Sequence, residues 1–167
     1  YDERADQWFD RVSNGGVVTY LPNESSTALT ATTASGDIVL RRTKQYFPYQ
    51  PGKSMMIMQS FAGATPTAGL IQEVGFFDDQ NGVMFRASGT TLQMVIRSFT
   101  YGAIVENVVD QSAWNINTLD SLDISKAQIF TAYLEWLGVG RVRAGFVVNG
   151  EIIYCHEFNH YNTLTSA

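Results

Sequence analysis

Residues 127–158, AQIFTAYLEWLGVGRVRAGFVVNGEIIYCHEF, constrain the fold of this chain more than any other stretch. They read as three consecutive antiparallel strands at 127–137, 141–148 and 151–158. In the first, Phe130, Ala132, Leu134 and Trp136 fall on one face. Ile129, Thr131, Tyr133 and Glu135 fall on the other. In the second, Val142, Ala144, Phe146 and Val148 point inward, and Arg141 and Arg143 point out. Asn149-Gly150 follows, the strongest short hairpin signal, because both residues tolerate the positive φ of a type I′ turn. The third strand places Ile152, Tyr154, His156 and Phe158 on one face. Period-2 patterning over this length predicts a β-meander, with Phe130, Trp136, Phe146 and Ile152 buried in it.

The rest of the chain repeats the theme in shorter pieces. Strands are expected at 17–21, somewhere within 23–36, at 37–45, 54–61, 70–77, 83–87 and 91–99, and more weakly at 102–110. Pro22, the Pro48–Pro51–Gly52 corner, Asp78-Asp79-Gln80-Asn81-Gly82 and Ser88-Gly89-Thr90 separate them. The run SMMIMQSF at 54–61 is nearly all apolar, which suits a strand buried on both faces. Residues 114–125 read as an ordered loop with one helical turn. About nine or ten short strands set apart by turns predict an all-β fold, an antiparallel β-sandwich or jelly roll. Residues 15–167 are expected to form one domain. Residues 1–14, YDERADQWFDRVSN, are charged and read as a linker or lead-in arm joined to something earlier. The start at Tyr1 and the polar end NTLTSA suggest a piece of a longer chain.

Composition narrows the function classes. The 167 residues carry 11 Lys plus Arg and 16 Asp plus Glu, a net charge of −5. Sequence-independent nucleic-acid binding depends on neutralising phosphates, so no nucleic-acid partner is expected. The single cysteine, Cys155, excludes an intrachain disulfide and any CxxC metal site. No apolar run approaches 18 residues, so no membrane insertion is expected.

The string His156-Glu157-Phe158-Asn159-His160 matches HExxH, whose zinc chemistry needs a helix to bring both imidazoles to one face. Here it continues a strand, where His156 and His160 would lie roughly 13 Å apart at about 3.3 Å per residue. No metal or other cofactor is therefore expected. Asp78-Asp79-Gln80-Asn81-Gly82 opens like a calcium loop, but positions 1 and 12 of that register would be Phe77 and Ser88, which bring no carboxylate. A turn is the better reading. Glu73, Glu106 and Glu135 are scattered, and spacing alone does not pair them as glycosidase acids. There is no GxSxG elbow, and Cys155 sits inside a strand. No catalytic residue is assigned, and the chain is not expected to be an enzyme.

The densest functional signal is the basic and aromatic segment at 41–53. Arg41, Arg42, Lys44, Tyr46, Phe47 and Tyr49 gather before a rigid Pro-Gly corner. Arg and Tyr combine an apolar body with directional donors and are enriched at interfaces. These six are the candidate contact residues of a homo-oligomer. The opposing reading folds the same residues inward to serve the chain's own core and salt bridges. Trp114 and Trp136 complete the aromatic inventory, as core residues or as platforms for sugar rings.

Taken in order, TYLPNES, RRTKQYFPYQPGKS, VGFFDDQNGVMF, WNINTLD and KAQIFTAYLEWLGVGRVRAGFVVNGEIIYCHEFNH resemble a family of virion-associated proteins of tailed phages and other large DNA viruses of aquatic environments. The resemblance runs from Val18 onward, and YQPGKS and EWLGVGRVRAGFVVNG are its most specific stretches. It implies a structural component located in the virion, a capsid-decoration or fibre domain rather than an enzyme. It implies self-association, as a trimer or other ring, and contact with other virion proteins. The FFDDQNG and FVVNG strands also look distantly like concanavalin-type lectin sandwiches. That likeness is one of fold, from which function does not follow; with the aromatic count it supports the alternative of a carbohydrate-binding, receptor-recognition module with a host-surface glycan as partner.

Overall fold

The computed structural model describes residues 3–48, 50, 52–100, 102–135 and 140–160. It is an all-β, antiparallel fold. Among the described residues there are twelve strands and one short 3-10 turn at Gln111–Ala113. The strands are β1 (Trp8–Ser13), β2 (Val17–Leu21), β3 (Ser26–Thr30), β4 (Ile38–Thr43), β5 (Met55–Phe61), β6 (Ile71–Phe77), β7 (Gly82–Ser88), β8 (Thr91–Thr100), β9 (Ala103–Asp110), β10 (Gln128–Leu134), β11 (Arg141–Val148) and β12 (Glu151–Asn159). No helix among the described residues is long and apolar enough to cross a membrane.

The chain divides into two compact units, Tyr1–Pro48 and Tyr49–Ala167, where the sequence suggested an arm followed by one domain. In the first unit β1 pairs with β4 and β2 with β3. The second half of the segment expected as a linker therefore forms a strand, Trp8–Ser13. Its charges made it look solvated, but Asp10 lies opposite Arg41 in the β1–β4 register and binds it. The turn after β1 uses Asn14 at φ 55°, and the Asn14 amide donates to the Gly36 carbonyl. The Asp37 carboxylate accepts from the Gly15 and Thr32 backbone N–H groups, closing the loop between β3 and β4. None of the described residues of this unit is buried.

The second unit is a sandwich of two four-stranded sheets, ordered β12-β11-β10-β5 and β6-β7-β8-β9. Phe85 of one sheet packs on Phe130 and Phe146 of the other at ring-centroid distances of 6.5 and 5.2 Å. Val83, Ala87, Met94, Ile124, Val142 and Ala144 fill the space around them. The alternation of apolar residues along each strand gives each sheet one face for this core and one for water. The meander at 127–158 forms as β10, β11 and β12, with Asn149 at φ 53° and Gly150 at φ 83° in the turn.

Two burial expectations are corrected. Ile152 is partly exposed, not buried. Ala144 pairs with His156 but Gly145 pairs with Tyr154, so Cys155 is an extra residue, a β-bulge. One inserted residue reverses the faces of everything before it. His156 and Phe158 are therefore buried, while Tyr154 and Ile152 fall on the outward face with Glu157. Strand β5 is likewise not buried on both faces. It is a sheet edge, with Met56 and Met58 about half exposed. Phe130 and Phe146 are fully buried as expected; Trp136 lies outside the described residues.

Candidate interaction surfaces

The motifs with catalytic overtones resolve into structure. His156 to Asn159 belong to β12, so HExxH is not helical. His156 is buried edge-on against Phe158 at 4.5 Å, and its Nδ1 accepts the Asn115 backbone N–H at 3.3 Å. Burial lowers the His156 pKa, so the neutral imidazole is favoured there. Asp78 closes the β6–β7 turn: its Oδ1 accepts from the backbone N–H of Gln80 and Asn81 at 2.8 and 2.6 Å. Among the described residues no three His, Cys, Asp or Glu side chains gather as metal ligands would. Burial pushes the Cys155 thiol up to about 12, which leaves no thiolate near neutral pH.

The outward face of the β6–β9 sheet carries a group that sequence spacing did not reveal. Glu73 on β6, Arg86 on β7, Arg97 on β8 and Glu106 on β9 converge. Arg86 Nε donates to Glu73 at 2.7 Å, and its two terminal nitrogens donate to the two oxygens of Glu106, each at 2.8 Å. Arg97 Nε adds a 2.8 Å bond to Glu106. The cross-strand row lying between these charges, Met84 opposite Val95, is fully buried although it belongs to the outer face. The long arginine stems account for that cover. The hydrogen bond from Arg86, with that from Arg97, holds the Glu106 carboxyl at about 2. Glycosidase chemistry needs a carboxyl with a raised pKa; this one is lowered, and Glu106 donates no proton near neutral pH. Only the strand registers bring Glu73, Arg86, Arg97 and Glu106 to one face; no local pattern marks them.

The six contact residues expected from 41–53 divide. Arg41 turns to its own unit. It grips both oxygens of Asp10 at 2.7 and 2.9 Å, donates to the Glu3 carbonyl at 3.0 Å, and lies 5.1 Å from the Trp8 ring centre. Lys44 Nζ donates to the Ala5 carbonyl at 2.6 Å. Arg42 lies over Phe9 at 5.0 Å on the exposed face. Tyr46 is 74% exposed and Phe47 46%, and Tyr49 is outside the described residues. Residues 6–8 and 43–45, with Phe47, line an open hollow of about 310 Å³. Phe9 and Ile38 stand on the same exposed face as Arg42, and Val12, Val17 and Leu29 are exposed elsewhere in the unit.

In the second unit, exposed apolar side chains concentrate on edge strands: Met56 and Met58 on β5, Ile71 on β6, and Ile104, Val105 and Val108 on β9. Trp114 is buried, with its indole N–H on the Val109 carbonyl at 3.1 Å. Compared with protein-family models, curated protein sequences and solved structures, the chain finds no match.

Proposed function

We propose that this chain is a structural component of a viral particle that associates with copies of itself, as a capsid-decoration or fibre domain. The assignment to a virion rests on the resemblance carried by YQPGKS and EWLGVGRVRAGFVVNG. The self-association rests on one observation: the unit Tyr1–Pro48 contains four strands yet none of its described residues is buried. Two-stranded ladders are at best marginally stable in water without an apolar face to bury. Phe9, Val12, Val17, Leu29, Ile38 and Phe47 supply such surface and leave it open. A neighbouring copy on a symmetric particle is the economical cover.

The experiment is multi-angle light scattering of the full chain, with Phe9→Lys/Ile38→Lys as the variant. The expected mass is a multiple of 18.5 kDa, falling in the variant while the β-type circular dichroism persists. A folded monomer without any substitution overturns self-association. Antibodies raised to the domain and applied to intact particles test the virion assignment; particles that bind none overturn it. The glycan-binding alternative starts with fewer rings than the sequence offered, because Trp114 is buried.

A further inference from the structure

The β6–β9 sheet ends on β9, which among the described residues pairs only with β8. An edge strand presents a row of backbone N–H and C=O groups to any incoming strand. Proteins that must stay apart blunt such an edge with Pro, Lys, a bulge or a free charge. The sequence of β9, AIVENVVD, has no Pro and no Lys or Arg. Its register with β8 runs unbroken from Gln93↔Asp110 to Thr100↔Ala103. Both of its acids are engaged on their own sheet: Glu106 by Arg86 and Arg97, Asp110 by the Gln93 amide at 2.8 Å. What remains toward the edge is aliphatic apart from Asn107, with Ile104 54%, Val105 52% and Val108 40% exposed.

The geometry points to a second copy of this chain as the occupant, pairing β9 with β9 antiparallel across a two-fold axis. The sheets of the two copies then join into one of eight strands. This rests on the self-association proposed above and adds to the β1–β4 face a second contact, on the other unit. A two-fold axis perpendicular to the sheet sets one residue opposite itself, and charge selects which. Centring on Glu106 opposes two carboxylates. Centring on Val105 overlaps only residues 103–107. Centring on Asn107 overlaps 104–110, placing Val105 beside the second copy's Val109 and Glu106 beside its Val108. Asn107 then meets its own copy, and an amide both donates and accepts, so that pair is self-complementary.

Of the other edges, β6, IQEVGFF, also has its one acid engaged, Glu73 by Arg86, but Gly75 weakens the middle of the strand; the uncharged one is β5, MMIMQSF. Its exposed Met56 and Met58 give up more rotamer freedom on pairing than the β-branched residues of β9 do. Strand β12 carries the Cys155 bulge and two glutamates, so it is blunted.

The test is Asn107→Cys in the full chain under mild oxidation, read on a non-reducing gel beside light scattering of the unsubstituted chain. Opposed Cα atoms in an antiparallel pair lie about 4.5–5.5 Å apart, within disulfide reach, and Cys155 is buried and does not compete. The expected result is a dimer band that a reductant removes. Val109→Cys, which faces Val105 of the second copy, gives no such band. In a chain carrying Phe9→Lys/Ile38→Lys, which removes the β1–β4 contact, Val105→Lys/Val108→Lys lowers the remaining dimer fraction at least tenfold, whereas Met58→Lys leaves it unchanged. An oligomer without the Asn107→Cys cross-link, or one dissolved by Met58→Lys, overturns the β9 pairing and leaves self-association standing. A monomer by light scattering overturns both. Cross-linking to another virion protein in place of a second copy also overturns it.

Discussion

Arg86 and Glu106 meet through two parallel N–H···O bonds of 2.8 Å each, across two strands that are not neighbours in the sheet. Arg97 on the intervening strand completes the link. The carboxyl of Glu106 is held at about 2, below its ordinary 4.5. Its proton is therefore bound more tightly in the unfolded chain. The stabilisation is complete above pH 4.5 and is lost as pH falls from there toward 2. Glu106→Gln is expected to cost about 1–2 kcal/mol at neutral pH, solvent screening included. Urea midpoints measured from pH 7 to pH 3 check it: the substituted protein should show the flatter profile below pH 4.5. Parallel profiles would mean the quartet contributes nothing through Glu106.

Phe146 is the hub of the sandwich core. It lies 5.2 Å from Phe85 and 5.9 Å from Phe130, both near edge-on, and is fully buried. Phe146→Ala removes a ring from a site lined by both sheets. The expected loss is about 3–5 kcal/mol, measured by chemical denaturation. A loss below about 1 kcal/mol would mean that the two sheets do not share this core.

The β-meander was legible because its signals are local. Alternation fixes the faces of β10 and β11, and Asn149-Gly150 fixes the turn. The exposure of Ile152 was not legible, because no residue type marks Cys155 as a bulge; only the pairing of Ala144 with His156 and Gly145 with Tyr154 shows it. Strand β5 misled for a related reason. Four apolar residues in a row describe a buried strand and an apolar edge equally well, and the sheet order decides between them. The first unit hid behind its charges. Asp10 and Arg41 are 31 residues apart, so the register that pairs them is invisible to any local window. The Glu73–Arg86–Arg97–Glu106 quartet is of the same kind, built from four strands.

Gly145 faces the bulge. A Cβ there would run into the Ile153 carbonyl oxygen and come within 2.7 Å of the Tyr154 Cα. These are backbone atoms of the neighbouring strand and cannot rotate aside. Gly145→Ala is expected to destabilise by about 2–3 kcal/mol through overpacking. The check is a thermal melt beside Gly150→Ala, whose position has open space but φ 83°. Equal or smaller damage at Gly145 would contradict the close approach.

His156 is buried, and its pKa is lowered by that burial. The unfolded chain, with an ordinary imidazole near 6.5, takes up the proton first. Stability is thus complete above pH 6.5 and declines as pH falls below it. His156→Gln should flatten the profile between pH 7 and pH 5. Elemental analysis of the purified protein is expected to give no stoichiometric zinc. One zinc per chain, lost on His160→Ala, would restore the HExxH reading.

Arg41 and Arg42 are neighbours with opposite duties, and their substitutions should separate. Arg41 is largely enclosed, with both Asp10 oxygens, the Glu3 carbonyl and the Trp8 ring as partners. Replacing it with Glu strands Asp10 beside a like charge and removes the anchor between β1 and β4. The expected cost is about 1–3 kcal/mol, confined to the first unit and read from the fluorescence of Trp8 in a chain whose other tryptophans are replaced by Phe. Arg42 faces outward over Phe9, an exposed cross-strand contact. Arg42→Glu should leave stability within about 0.5 kcal/mol of the parent, as surface changes do. If the exposed β1–β4 face is a contact between copies, Arg42→Glu lowers the assembled mass without unfolding the chain. An unchanged mass alongside unchanged stability would remove Arg42 from the interface and leave Phe9 and Ile38 to account for it.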